Sequence, residues 1–201
     1  MKKRLLCYIM NTRLYAYLLL KVIPYIRFTC YYATLRGWKY LRGYAILELG
    51  DIILTLDRKK LTTLLIPGEF SHAALCVGKG TEFEIAEMTH TNFTKSTFFD
   101  ICKEADRIII GRCYSWDKDY IDKVISRCVS MSGATYDVTF KLGVKELYCS
   151  ELVYESDFEH RLHCNLDDIQ GLGRQYISPM GIYKAILRNG YIAWDSDKEI
   201  L

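Results

Sequence analysis

The spacing of apolar residues changes near Gly43. Ahead of that point, on a helical wheel of about 100° per residue, Arg13, Lys21 and Arg27 fall within an arc of about 120°. Leu14, Tyr15, Leu18, Leu19, Val22, Ile23 and Ile26 fill the opposite side. This predicts one amphipathic helix, kinked at Pro24. A helix docked on the protein core and a helix lying in the plane of a membrane need the same apolar face, so both readings stay open. The basic residues break the apolar run, and no small-residue cleavage site follows, so neither a spanning helix nor a signal peptide is expected.

After Gly43 the pattern becomes one of short strands and helices. Ile46 to Leu56 reads as a strand interrupted at Gly50-Asp51, Leu61 to Glu69 as a loop or short helix, and Ser71 to Val77 as a strand with a hairpin partner at Glu82 to Met88. Ser96 to Lys103 reads as a short helix and Arg107 to Tyr114 as a strand. Trp116 to Ser132 reads as a helix, because Tyr120, Ile121, Val124, Ile125 and Cys128 keep helical spacing. A loop after Gly133 leads to a further helix from Tyr148 to about His160. Strands followed by helix, loop and helix predict an α+β domain with a small antiparallel sheet packed against helices.

The 201 residues, 50% apolar and 25% charged, fit one globular domain of about 150 residues plus an extension. The expected division is a helical segment at 1–43 and a domain at 44–201. Net charge sharpens that division. Nine basic residues precede Glu48, the first acidic residue, whereas the rest of the chain carries 18 basic and 24 acidic residues. The head therefore suits an anionic surface such as lipid headgroups or nucleic acid, whereas the acidic body alone gives no case for nucleic acid, and an anionic membrane is the partner expected for residues 1–43.

Eight scattered cysteines form no C-x-x-C and no Cys/His set at zinc spacing, so no metal or cofactor is expected. They read as buried free thiols in a reducing compartment, which points to a cytoplasmic protein, peripheral to the membrane if the head is an in-plane anchor. His160, His163 and Cys164 lack a fourth ligand and read as a solvated helix end; His90 reads as exposed.

The candidate chemistry begins in the hairpin. A two- or four-residue turn centred between Lys79 and Gly80 places His72 directly opposite Glu87, close enough for the carboxylate to orient the imidazole. Glu84 would face the other side of the sheet. Cys149 opens a helix, where free amides and the positive end of the dipole favour a thiolate. The same amides can hold an oxyanion.

Taken in order, Gly50-Asp51-Ile52-Ile53, Ser71-His72-Ala73, Ile85-Ala86-Glu87, Gly133-Ala134-Thr135-Tyr136-Asp137 and Tyr148-Cys149-Ser150-Glu151-Leu152-Val153 resemble the circularly permuted branch of the NlpC-type, papain-like cysteine hydrolases, in particular the YiiX/YebB group. The resemblance covers roughly residues 48–185 and includes Ile177-Ser178-Pro179. It implies a papain-like fold, with Cys149 as nucleophile, His72 as general base and acid, and Glu87 orienting His72. Met88 stands where the family pattern has Ala after Glu. Tyr136 and Tyr148 are candidates for contacts to oxyanion or substrate. The implied reaction is cleavage of an amide or ester, or acyl transfer, through a thioester, on a peptidoglycan-type peptide or a lipid-linked acyl group. The alternative is a catalytically silent, membrane-associated module using the same cleft.

Overall fold

A six-stranded antiparallel sheet forms the centre of the molecule, in the order β10-β5-β1-β2-β3-β4. Its strands are β1 Ile52–Leu56, β2 His72–Lys79, β3 Phe83–Met88, β4 Phe93–Thr97, β5 Arg107–Cys113 and β10 Gly190–Asp195. The computed structural model describes residues 12–26, 35, 37–60, 63, 66, 68–143, 145–168 and 175–198. Arg27, most of 61–67 and Gly171-Leu172-Gly173 lie outside them. The described helices are α1 Arg13–Lys21, α2 Trp38–Ile46, α3 Phe98–Glu104, α4 Lys118–Ser130, α5 Cys149–Ser156 and α6 Pro179–Asn189. Two short ladders, β6 Thr135–Tyr136 with β7 Glu146–Leu147 and β8 Asp167–Asp168 with β9 Gln175–Tyr176, join loops outside the main sheet.

Period-two alternation along β1 and β2 feeds two apolar cores. Ile52, Leu54, Ala73 and Leu75 pack with Val124 of α4, Leu152 and Val153 of α5, and Ile182 and Ile186 of α6. Ile53, Ala74 and Cys76 pack with Phe98 and Ile101 of α3, Leu47 and Trp194. All five residues of β1 are therefore buried, as a strand covered on both faces requires. Each fully buried Ile or Leu contributes about 1.5–3 kcal/mol, so the centre of the sheet is a firm platform for whatever its ends carry.

Three expectations change. The stretch read as a strand from Ile46 is helical to that residue, because Tyr40 and Tyr44, one turn apart, pack on Phe98 and Phe83 at ring-centroid distances of 5.9 and 5.1 Å. Gly43 lets this helix lie on Trp194: a Cβ there would stand 2.8 Å from the indole ring. The polar run Phe93-Thr94-Lys95-Ser96-Thr97 is an edge strand, followed by the α3 capping box of Thr97 and Asp100. Finally, α6 and β10 extend the sheet beyond the expected hairpin and strands.

The hairpin register also corrects the direct pairing of His72 with Glu87. Glu87 pairs with Ala74, and His72 pairs with Thr55 of β1. Lys79 pairs with Phe83 across a three-residue loop, which alone would turn Glu87 to the other face of the sheet. An extra residue on β2, Val77, then restores the face through a bulge between Cys76 and Gly78. Loop and bulge together move the pairing by two residues. His72 and Glu87 consequently remain on one face as diagonal neighbours, within reach of long side chains.

Candidate active site

His72 starts β2 and Cys149 starts α5, so strand and helix meet at their first residues. The His72 ring gives Nε2 to Glu87 Oε2 at 2.7 Å. Its other side meets Cys149, whose sulfur hydrogen-bonds the imidazole and also accepts from the backbone amides of Ala73 and Ser150. Cys149, His72 and Glu87 are thus brought together. The rival Glu84 is on the surface, 2.9 Å from Lys95 Nζ.

The electrostatics follow from this arrangement. Burial raises a thiol pKa, yet the His72 charge and hydrogen bond, followed by the two backbone amides, hold Cys149 below its ordinary range. Burial works against charge on His72 as well, but the Cys149 sulfur and then Glu87 raise it to about 10. Glu87 is pulled below the ordinary glutamate value: its burial is outweighed by His72 and by a hydrogen bond from Ser96 Oγ. The pair therefore favours thiolate beside imidazolium, with the carboxylate ionised behind them.

Two supports of this site were not read from the sequence. Ser96 holds Glu87, and it lies on the edge strand whose polar composition concealed it. The second support is a clamp around the peptide of Ile177. Its amide donates to Tyr148 Oη at 2.8 Å, and its carbonyl accepts from Ser150 Oγ at 2.8 Å. The residues on either side of Cys149 thus grip both backbone polar groups of one residue at the entrance to α6, where Ser178 caps the helix by accepting from Gly181 N at 2.9 Å. That contact gives the Ile177-Ser178-Pro179 segment its physical role.

Glu151 fastens the loop before the helix. Its carboxylate, with the residue fully buried, accepts from Gly143 N at 2.7 Å and more weakly from Tyr148 N at 3.4 Å. Burial pushes it up to about 8 despite those two amides. An acidic residue at the third helical position is a legible capping signal.

The two tyrosines differ in placement. Tyr136 is half-buried; burial, then the charges of Cys149 and Asp137, raise its phenol. Tyr148 is 2% exposed, packs at a tilt against Phe140 with ring centroids 5.2 Å apart and has its oxygen engaged by Ile177. His160 and His163 are exposed, His160 lying on the Tyr154 ring at 4.4 Å. His90, expected to be exposed, is half-buried, because Tyr25 packs edge-on against it and places its hydroxyl 3.2 Å from Nε2.

In comparison with known proteins, no curated protein matches the chain. Among solved structures, YiiX from Escherichia coli O157:H7, described as a metalloprotein, is similar with a TM-score of 0.59 over 72% of this chain and 95% of that one, at 14% identity, which establishes likeness of fold. Among the described residues here, no group of three or more His, Cys, Asp or Glu side chains could hold a metal ion, and His72 is engaged on both sides by Glu87 and Cys149. The model of the permuted papain-like amidases, YaeF/YiiX, C92 family, matches residues 46–190. A match over that much of the chain, on a fold with helices packed on an antiparallel sheet, makes this protein a member of the permuted papain-like amidase family, and so an enzyme of the cysteine hydrolase kind.

Proposed function

We propose that the protein cleaves an amide or ester by covalent catalysis, with Cys149 as nucleophile, His72 as general base and acid, and Glu87 as the residue that orients His72. The observation that carries this reading is the placement of Cys149 at the first residue of its helix against His72, whose Nε2 lies 2.7 Å from Glu87 Oε2, so that the imidazole holds a deeply buried thiol below its ordinary pKa. The thiolate attacks the carbonyl carbon, and the carbonyl oxygen becomes an oxyanion beside the free amides of the α5 N-terminus. Tyr136, whose phenol is held protonated by burial and by the Cys149 charge, supplies a further donor. As the tetrahedral intermediate collapses, imidazolium gives its proton to the departing nitrogen or oxygen, leaving a thioester. His72 then takes a proton from water, which attacks the thioester and releases the acid and the thiolate; an alcohol or amine in place of water completes an acyl transfer.

Incubation with an activated acyl ester, followed by rapid quenching and mass spectrometry, tests the reading. An acyl mass on the peptide containing Cys149, removed by neutral hydroxylamine and absent in Cys149→Ala, is the expected result. Acylation at another residue, or unaltered turnover by Cys149→Ala, would overturn it.

A further inference from the structure

The head helix was expected to have one apolar face, with core docking and membrane anchoring as alternatives. In the structure α1 and the turn that follows it have two apolar faces. Tyr15, Ala16, Leu19, Leu20 and Ile23 are half-buried, while Leu14, Tyr17, Leu18, Val22 and Ile26 are 66%, 60%, 39%, 36% and 41% exposed. On a wheel the outward residues of the helix span about 140°. This run of exposed apolar side chains at helical spacing is longer than the exposed pairs elsewhere, Trp38 with Leu41 and Tyr114 with Tyr191.

We infer that this outward face of α1 docks the enzyme on an anionic lipid bilayer, in the plane of the membrane, with the Cys149 site beside the contact. Charge complementarity selects the occupant: the first 47 residues carry nine basic and no acidic residues. Arg13 and Lys21 belong to the helix itself, and Lys21 lies among its outward residues, where its stem can rest on lipid while its ammonium reaches the headgroups. No described helix is long and apolar enough to cross a membrane, which leaves the in-plane orientation for α1.

The inward face connects the dock to the chemistry. Tyr15 is half-buried, and burial and then the Asp137 carboxylate raise its phenol. Tyr25 completes the attachment on His90. The segment is thus fastened at the end of β3 that carries Glu87. Resting on the proposed cysteine mechanism, the inference assigns membrane-resident acyl amides or esters as the substrate class, in preference to soluble peptides.

The test uses the full chain and the variant Leu14→Glu/Leu18→Glu, which alters exposed positions only. Flotation with phosphatidylcholine vesicles, with and without phosphatidylglycerol, should show binding to the anionic vesicles that weakens with salt and falls at least tenfold in the variant. Turnover of a long-chain acyl ester should be stimulated by the anionic vesicles in the wild type but not in the variant, while a short soluble ester is cleaved equally by both. Iodoacetamide labelling of Cys149 should be the same in both proteins, and circular dichroism controls for folding. No flotation, or equal flotation of the two proteins, would overturn the docking. A concentration-dependent dimer that the variant abolishes, without flotation, would show instead that the face meets a second copy. Flotation without stimulation of the long-chain ester would remove the substrate class, whereas flotation with a sluggish Cys149 would leave the dock and overturn the mechanism beneath it.

Discussion

Cys149 at the start of α5 and Cys128 inside α4 are both helical and nearly equally buried, 5% and 0% exposed. Their acidities move in opposite directions. Burial pushes Cys128 up to about 11, with only a modest opposing contribution from Ser156. The same burial acts on Cys149 and is overcome by His72 and by the amides of Ala73 and Ser150. Cys76, Cys102 and Cys164 follow Cys128, each pushed up to about 12 mainly by burial. Burial thus sets a common penalty, and reactivity depends on whether a cation and oriented amides stand within hydrogen-bond distance of the sulfur.

Removing the cation should break the contrast. His72→Ala is expected to slow alkylation of Cys149 at pH 6.5 by about 100-fold or more while Cys128 stays inert, as read by residue-resolved mass spectrometry. A variant that labels at the wild-type rate would show that the imidazole does not activate the thiol.

The second expectation concerns pH. An ordinary thiol, of pKa about 8.5, loses thiolate about tenfold per unit below that value. Because the Cys149 pKa is lowered, its thiolate persists below this range and is lost only as pH falls through the depressed value; the raised His72 pKa keeps the imidazolium present through neutrality until pH rises through about 10. The ratio of Cys149 labelling to that of a small thiol should accordingly grow from pH 9 to pH 7. A constant ratio would contradict the ion pair.

The carboxylate behind His72 should matter less than the imidazole itself. Glu87→Gln is expected to lower turnover by about 10-fold to 100-fold through misorientation of the ring, and Ser96→Ala, which removes one support of Glu87, by a smaller factor. Steady-state rates on one ester rank the three variants, and a Ser96→Ala effect larger than that of Glu87→Gln would reverse the proposed order. Cys128→Ala gives the smallest effect on activity. It leaves turnover unchanged and costs about 1 kcal/mol of stability by opening a small void in the core, measurable by denaturant titration.

Much of the site was legible because its signals are local. Cys149 follows a loop and opens a helix, and Glu151 sits at the capping position. The order of His72, Glu87 and Cys149 within the family motifs carried the fold class. The hairpin shows how a local signal can mislead in detail: alternation identifies β2 and β3 and keeps His72 and Glu87 on one face, but it does not reveal a three-residue loop or the Val77 bulge, which cancel in facing and add in register.

The amino-acid sequence by itself determined the apolar periods, the charge division between head and body, and the residues able to carry acyl chemistry, since each depends on residues close together in the chain. Tertiary structure decided which of these meet. Only packing could show that Ile177 is clamped by Tyr148 and Ser150, that the polar strand with Ser96 borders Glu87, and that α1 turns Tyr15 towards Asp137 while leaving Leu14 and Leu18 outside. The physical reason is that a helical or strand period fixes the direction of a side chain relative to its own element, whereas burial, hydrogen-bond partners and pKa depend on what other elements place against that side.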